Sequence, residues 1–175
     1  MAYIRALDHD ATTAQAGAPA SSTPADFLAD YWAHPDRDAA QLVIFRDRKG
    51  LILLNRYPYA NGHLLVALGP ARAGLEDYVP EDRAHFWRLM ELAMALCDEA
   101  CRPQGMNAGL NLGRAAGAGL PEHLHGHVVP RWAGDTNFMS VLGEVRVIPD
   151  ALEDVYLAYC AALPAALRRT GLWPS

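Results

Sequence analysis

Three histidines stand at alternate positions in one short segment, residues 121–132, of this 175-residue chain. They are His123, His125 and His127. The apolar residues around them predict a β-strand, and side chains on a strand alternate between its two faces. The three imidazoles are therefore predicted to point the same way. Leu124 and Val128 would face a core on the other side, where Gly126 would leave a gap.

A row of three imidazoles on a strand has three interpretations. It could be an ordinary solvated strand face with no chemical role. It could bind zinc, since two histidines two residues apart on a strand have a suitable spacing, although Glu122 is the only carboxylate close by in sequence. The third is phosphate chemistry, in which one imidazole attacks phosphorus and its neighbours donate to phosphate oxygens. Histidine suits this role because it is largely neutral near pH 7 and, once protonated, neutralises phosphate charge.

The composition argues against several other kinds of active site. Lys49 is the only lysine, and Gly50 follows it where a Walker-type phosphate loop needs Ser or Thr. No serine lies in the glycine-flanked elbow of an α/β-hydrolase nucleophile. The net charge of -5 gives the chain no positive field to hold a nucleic acid. We therefore expect no nucleic-acid partner, and a phosphate ligand would need a local site.

Cysteine content and the N-terminal segment predict the compartment and the domain organisation. The 3 cysteines are an odd number in apolar contexts, which favours a reducing compartment over a disulfide framework. The first residues contain no apolar run long enough for a signal peptide or a membrane span. We expect a cytoplasmic protein without a membrane partner. It would consist of a flexible leader, 1–22, and one domain, 23–175, which starts with a short helix capped at Thr23.

The predicted elements form a sheet with helices. Apolar segments bounded by turns predict the strands, and a helical repeat of apolar side chains predicts the helices. The predicted strands are 41–45, 51–54, 63–68, 106–112 and 123–130. The predicted long helices run from Pro80 to Cys101 and over 149–163. This order indicates an α+β fold, with an antiparallel five-stranded sheet and a long helix packed across it.

The histidine segment resembles the signature of the histidine triad (HIT) superfamily, in which three histidines alternate with hydrophobic residues. Further segments extend the resemblance over roughly residues 40–160. They are Asn55-Arg56-Tyr57-Pro58-Tyr59, Asn61 to Val66, and Asn111-Leu112-Gly113. The tail Pro130-Arg131-Trp132 with 134–139 is similar to the bacterial diadenosine tetraphosphate phosphorylase branch of that superfamily. The resemblance implies a HIT-like fold.

The resemblance also implies a role for each catalytic side chain. His125 would attack the α-phosphorus and form a nucleotidyl-histidine intermediate. His127 and His63 would hold the non-bridging phosphate oxygens, and His123 would support the orientation and charge of the array. Splitting one phosphoanhydride displacement into two steps is the usual purpose of such a covalent intermediate.

The expected binding residues follow from the same resemblance. Asn55 would bind ribose. Asn111 and the backbone amides of Ala118 and Gly119 would cradle phosphate, as a loop of small residues can. Trp132 would either stack on a base or cap the core.

Two glycines depart from the family pattern. Gly126 stands where a hydrophobic residue is usual, and we expect a cost of about 1 kcal/mol in packing and strand propensity. Gly119 stands where related enzymes carry Gln or Ser in contact with phosphate. This second departure leaves the choice between water and phosphate as the acceptor open.

The resemblance implies a nucleotidyl transferase or hydrolase that cleaves dinucleoside polyphosphates, with diadenosine tetraphosphate as the leading substrate. Inorganic phosphate or water would be the acceptor. It further implies a homodimer with sheets joined side by side and no resident cofactor, any divalent metal being bound to the substrate phosphates. Two alternatives stay open. They are a nucleoside phosphoramidase or general nucleotide hydrolase, and a catalytically weak nucleotide-binding sensor.

Overall fold

The computed structural model describes residues 26–135 and 151–172. The strands in these ranges are β1 (Val43–Arg46), β2 (Gly50–Leu54), β3 (Leu64–Leu68), β4 (Gly105–Leu110) and β5 (His125–Arg131). The α-helices are α1 (Phe27–Ala33), α2 (Pro80–Cys101) and α3 (Leu152–Thr170). The predicted leader, 1–22, the predicted cap at Thr23 and residues 136–139 of the segment that resembles the superfamily lie outside the described residues.

The strands form one sheet in the order β1-β2-β3-β5-β4, and every neighbouring pair is antiparallel. A tight charged turn makes the β1–β2 hairpin. In it the carboxylate of Asp47 accepts from the backbone N–H of Lys49 at 2.8 Å and of Gly50 at 2.9 Å. The predicted α+β class and the antiparallel five-stranded sheet are confirmed.

Helices α2 and α3 cover one face of the sheet, which we call the helix face. The core on this side is built from buried side chains of the central strands and the two helices. Among its members are Ile52, Leu54, Val66, Phe86, Met90, Leu96, Val128 and Tyr159. The prediction of a gap at Gly126 is wrong, because a Cβ there would lie 2.3 Å from Met90 Sδ and 3.0 Å from Phe86 Cζ. Helix α2 fills the space that a larger residue would need.

Helix α1 packs on the opposite face of the sheet, which we call the site face. A second, smaller core lies there, and it includes Leu28, Leu51, Leu53, Leu65 and Ala67. The N-cap of this helix is Asp26, three positions after the predicted cap at Thr23, and its carboxylate accepts from the N–H of Ala29 at 3.0 Å. At its other end Trp32 packs so closely that a Cβ on Gly69 would lie 2.1 Å from the indole.

Helix α3 continues well past its predicted end at Leu163. Pro164 lies inside it, and the helix stops only at Gly171, which takes the left-handed φ of 67° that favours glycine. By contrast, α2 has the predicted bounds, with Pro80 in its first turn and Arg102-Pro103 after its end. Within the described parts of the chain, no helix is long and apolar enough to cross a membrane.

Candidate active site

Two strands bring the four predicted catalytic histidines together. The register pairs His127 with Leu65 and His125 with Ala67, so both imidazoles share the site face with these apolar partners. His63 lies just before β3, and His123 lies in a bend just before β5. All four side chains are buried. Buried polar groups need partners inside the protein, and those partners fix which ring nitrogens carry protons.

His63 and His127 form a chain of hydrogen bonds with a single direction. The backbone N–H of Tyr59 donates to Nδ1 of His63 at 3.1 Å, so the ring proton of neutral His63 is on Nε2. That proton is donated to Nδ1 of His127 at 3.0 Å. Neutral His127 therefore carries its own proton on Nε2. Burial, reinforced by the nearby His125, lowers the pKa of His127 to about 4, which keeps it neutral near pH 7.

Asn111 follows β4 and meets the end of this chain. Its side-chain amide lies 3.3 Å from Nε2 of His127 and 3.4 Å from the hydroxyl of Tyr59. The oxygen and nitrogen of such an amide exchange by a flip, so Asn111 can accept from the Nε2–H of His127. The structure thus brings Asn111 to the histidines, and its predicted contact with phosphate stays a prediction.

His125 is held so that one lone pair remains available. Its Nδ1–H donates to the backbone carbonyl of His123 at 2.8 Å, which places the lone pair of the neutral ring on Nε2. Burial lowers the pKa of His125, and the charge of His123 adds to that effect. A neutral imidazole with a fixed tautomer and a lone pair on Nε2 is suited to nucleophilic attack.

His123 has a different protonation state from its neighbours. Its Nε2 lies 2.8 Å from the carbonyl of Leu68, and its Nδ1 lies 2.9 and 3.1 Å from the two carboxylate oxygens of Asp26. Carbonyl and carboxylate oxygens only accept, so both ring nitrogens donate and the ring is a cation. In that form it has no lone pair for a metal. Across 26–135 and 151–172, no group of three or more His, Cys, Asp or Glu side chains is arranged to hold one.

Tyr59 is a site residue that the sequence reasoning did not assign. Its ring stacks on His127 with centroids 5.7 Å apart and lies 4.7 Å from the ring of His63. It is half exposed and covers the solvent side of this pair. The available signal was an aromatic residue four positions before His63, in a turn that folds back over it.

Asn55 and the small-residue loop lie near the histidines but are already engaged. Asn55 accepts from the N–H of Tyr57 at 3.0 Å, and its amide nitrogen lies 3.2 Å from Nδ1 of His63. The N–H of Ala118 donates to the carbonyl of Gly113 at 3.2 Å, so a phosphate contact there would require that bond to open. At Gly119 the space beside the backbone is open. The ribose and phosphate roles of these residues stay predictions.

Trp132 lies just beyond the end of β5, far from the histidines. At about 3.3 Å per residue, it is about 17 Å beyond His127. Its neighbour Arg131 is engaged by Asp135, at 2.5 and 2.7 Å. Base stacking by Trp132 stays a prediction, and within one subunit it would require a long ligand.

The turn before His63 is held in place by side chains of the helices on the helix face. The hydroxyl of Tyr159 donates to the carbonyl of Gly62 at 2.6 Å. A Cβ at Gly62 would lie 2.9 Å from Cys101 Sγ, and its φ of +80° is left-handed. Only glycine meets both conditions without strain.

This chain is similar in sequence to a known family and to curated proteins. A family model for the HIT domain matches residues 36–134. Proteins named AP-4-A phosphorylase from two Mycobacterium tuberculosis strains, CDC 1551 / Oshkosh and H37Rv, are 43% identical over 117 residues, 67% of this chain. The matched region spans 60% of the length of these curated relatives.

Two solved structures agree in fold. A zinc-bound histidine triad family protein from Mycobacterium smegmatis is 30% identical with a TM-score of 0.62, over 80% of this chain and 96% of that one. A Hit-like protein from Bartonella henselae is 19% identical with a TM-score of 0.63, over 82% of this chain and 100% of that one. Together with the matched family model and the alternating histidines on β5, these similarities show that the chain belongs to the HIT domain family.

Proposed function

We propose that this protein is an enzyme that cleaves dinucleoside polyphosphates, with diadenosine tetraphosphate as the leading substrate, through a nucleotidyl-histidine intermediate on His125. One observation carries the mechanism. The Nδ1–H of His125 is committed to a backbone carbonyl, so the lone pair of the neutral ring is on Nε2. The substrate class is supported by the relatives named AP-4-A phosphorylase.

In the first step, Nε2 of His125 attacks the α-phosphorus. An N–P bond forms, the P–O bond to the next phosphate breaks, and its electron pair leaves with the departing nucleoside polyphosphate. The Nε2–H of His127 would donate to a non-bridging oxygen, where negative charge develops. His63 would act through His127, because its own Nε2–H already holds Nδ1 of His127.

In the second step, an oxygen of water or of inorganic phosphate attacks the same phosphorus. The N–P bond breaks, and its electron pair returns to Nε2 of His125; when water is the acceptor, the proton that its oxygen loses passes to solvent. From diadenosine tetraphosphate the first step releases ATP. Water then gives AMP, whereas phosphate gives ADP. The acceptor can therefore be read directly from the products.

On the basis of its cysteine content, we also expect this enzyme to be cytoplasmic.

The reaction needs no resident cofactor, and any divalent cation would enter bound to the substrate phosphates. A metal assay checks whether a cofactor is needed. Protein stripped with chelator should regain full activity with magnesium alone, whereas a stoichiometric zinc requirement would revive the zinc interpretation.

The decisive experiment is incubation with diadenosine tetraphosphate, with and without inorganic phosphate, followed by product analysis and adduct trapping. ADP plus ATP only with phosphate would indicate phosphorolysis, and AMP plus ATP without it would indicate hydrolysis. His125→Ala should abolish the adduct, while His34→Ala, at an exposed histidine on the surface, should not.

Other results would favour the alternatives. Nucleotide binding with neither adduct nor products would contradict the proposal and indicate a sensor. Faster turnover of a nucleoside phosphoramidate than of the dinucleotide would favour the phosphoramidase.

We further propose a homodimer joined through β4. This strand is an edge of the sheet, and Asn107 and Ala108 on it are exposed. The other edge, β1, is bulged and is contacted by Tyr156 of α3, whose hydroxyl donates to the carbonyl of Val43 at 3.3 Å. An open, regular edge is suited to pairing with a second copy. Sedimentation should give a dimer, and Ala108→Pro should give a monomer; a wild-type monomer would contradict the proposal.

A further inference from the structure

Helix α1 is fastened to the site face at both of its ends. At its C-terminal end, Arg46 of β1 donates to the carbonyls of Tyr31 at 2.8 Å and of Trp32 at 3.1 Å. The same guanidinium pairs with Asp38 at 2.5 Å. At its N-terminal end, the only side-chain cap is Asp26, which also reaches the histidines. The helix therefore holds the Asp26 carboxylate at a fixed place beside the site.

The Asp26 carboxylate does two things at once. One oxygen accepts from the N–H of Ala29 at 3.0 Å, which caps the helix. Both oxygens accept from Nδ1 of His123, at 3.1 and 2.9 Å. The side chain of His123 is 1% exposed, and that of Asp26 is 31% exposed. A buried cation needs a partner charge, so the cationic form of His123 depends on this carboxylate.

His123 in turn sets the ring of His125. Its own carbonyl accepts the Nδ1–H of His125 at 2.8 Å, while its side chain is tied to the carbonyl of Leu68 at 2.8 Å. A displaced or rotated His123 would move the carbonyl that selects the tautomer of His125. The contacts thus run without a break from helix α1 to the Nδ1–H of His125, whose placement leaves the lone pair on Nε2.

We propose that Asp26 is a positioning residue, which holds His123 so that the His123 backbone keeps the Nε2 lone pair of His125 directed at the substrate. This inference rests on the proposed function, because it takes His125 as the nucleophile. It gives α1 a task beyond covering apolar surface. It also links two residues that are 97 positions apart in the chain.

The test compares three variants at two positions of the same helix. Asp26→Asn keeps an oxygen that can cap α1 but removes the charge, since Asn and Asp are about equally good N-caps. Asp26→Ala removes both. The control is Asp30→Asn, which removes an exposed acid on α1 that pairs with His34 at 3.2 Å, away from the site. Each variant is assayed for kcat, KM and melting temperature.

For a positioning residue we expect Asp26→Asn to lower kcat by about 10- to 100-fold, as loss of a partner that orients a metal-ligating histidine does, with KM nearly unchanged. Its melting temperature should stay close to that of Asp30→Asn, because the cap survives. If Asp26→Asn keeps wild-type kcat and only Asp26→Ala loses it, the residue is a helix cap and the proposal is overturned.

Imidazole nitrogen NMR tests the same inference without substrate. Wild-type protein should show both ring nitrogens of His123 protonated and His125 protonated on Nδ1. In Asp26→Asn, His123 should lose one ring proton and His125 should populate its second tautomer, with no change in Asp30→Asn. Unchanged spectra in Asp26→Asn would overturn the proposal. If the wild-type protein forms no nucleotidyl adduct, only the proposed function is contradicted. The spectra would still test whether Asp26 sets the tautomer of His125.

Discussion

On β5, His125 and His127 point to the site face, while Gly126 and Val128 between and after them point to the helix face. On the site face, directed hydrogen bonds decide which nitrogen of each histidine ring carries a proton. Each ring there has its proton assigned by a neighbour. The helix face is organised by shape, since Met90 and Phe86 fill the space beside Gly126. Residues adjacent in sequence therefore have separate tasks, chemistry on one side and stability on the other.

The largest expected effect is on the site face. His125→Gln removes the proposed nucleophile and should lower the rate of adduct formation by a factor of about 1,000 or more, as loss of a nucleophile typically does. The free energy of unfolding should change by no more than about 1.5 kcal/mol, the net worth of one hydrogen bond. Rapid-quench kinetics and urea unfolding measure the two quantities. Substantial residual adduct would mean that another side chain is the nucleophile.

A substitution on the helix face should lower stability and leave kcat nearly unchanged, the reverse of His125→Gln. Gly126→Ala forces Met90 and Phe86 to move and should lower the free energy of unfolding by about 1–3 kcal/mol, the usual cost of overpacking. The kcat of the folded enzyme should change far less than in His125→Gln. Gly105→Ala on β4 is the matched control, because nothing lies within 4 Å of its added Cβ. A Gly126→Ala protein more stable than the control would show that the cavity expected from sequence exists.

Lowering the pH should destabilise the protein because it protonates the buried histidines of the site face. The pKa of His125 is lowered and that of His127 is about 4, whereas both are about 6.5 in an unfolded chain. Between these values the unfolded chain binds more protons than the folded one, so stability falls as pH drops from about 6.5 towards 4. Melting temperature as a function of pH measures this. The slope should flatten in His127→Gln, and an equal slope there would contradict the assignment.

The smallest change in stability is expected for a surface ion pair that lies in neither the histidine site nor the core under the helix face. Lys49 pairs with Asp82 at 2.6 Å on the surface. Lys49→Ala should change the free energy of unfolding by less than about 1 kcal/mol, since exposed ion pairs contribute little. Urea unfolding in low and in high salt checks it. A larger, salt-insensitive loss would show that this turn is part of a core.

Local patterns were enough to predict most of the fold. The period-two histidines predicted one strand face for His123, His125 and His127; the structure has His125 and His127 on that face, whereas His123 lies in a bend before β5. The bounds of α2 followed from Pro80 and from Arg102-Pro103. The predicted end of α3 at Leu163 is wrong, because the helix includes Pro164 and continues to Thr170. Packing against α2 keeps the helix going, and packing is not visible in a local pattern.

The parts of the site that sequence could not predict depend on contacts between distant residues. Asp26 and His123 are 97 positions apart, and no motif joins them. The stacking of Tyr59 on His127 depends on how one turn folds over a strand. At Gly126 the sequence shows only a missing side chain, whereas the helix that occupies its place comes from a separate part of the chain. Such pairings are set by tertiary packing and have no local signal.

The hydrogen bond from Tyr159 to Gly62 connects α3 with the turn that precedes His63. Tyr159 of α3 and Cys101 of α2 lie against the backbone of Gly62, immediately before His63, on the side of the sheet opposite the site histidines. His63 in turn assigns the proton of His127. Under the proposed function, loosening α3 would therefore disturb proton placement at His127 before it unfolded the sheet, and damage to this helix would first be measured as a lower kcat.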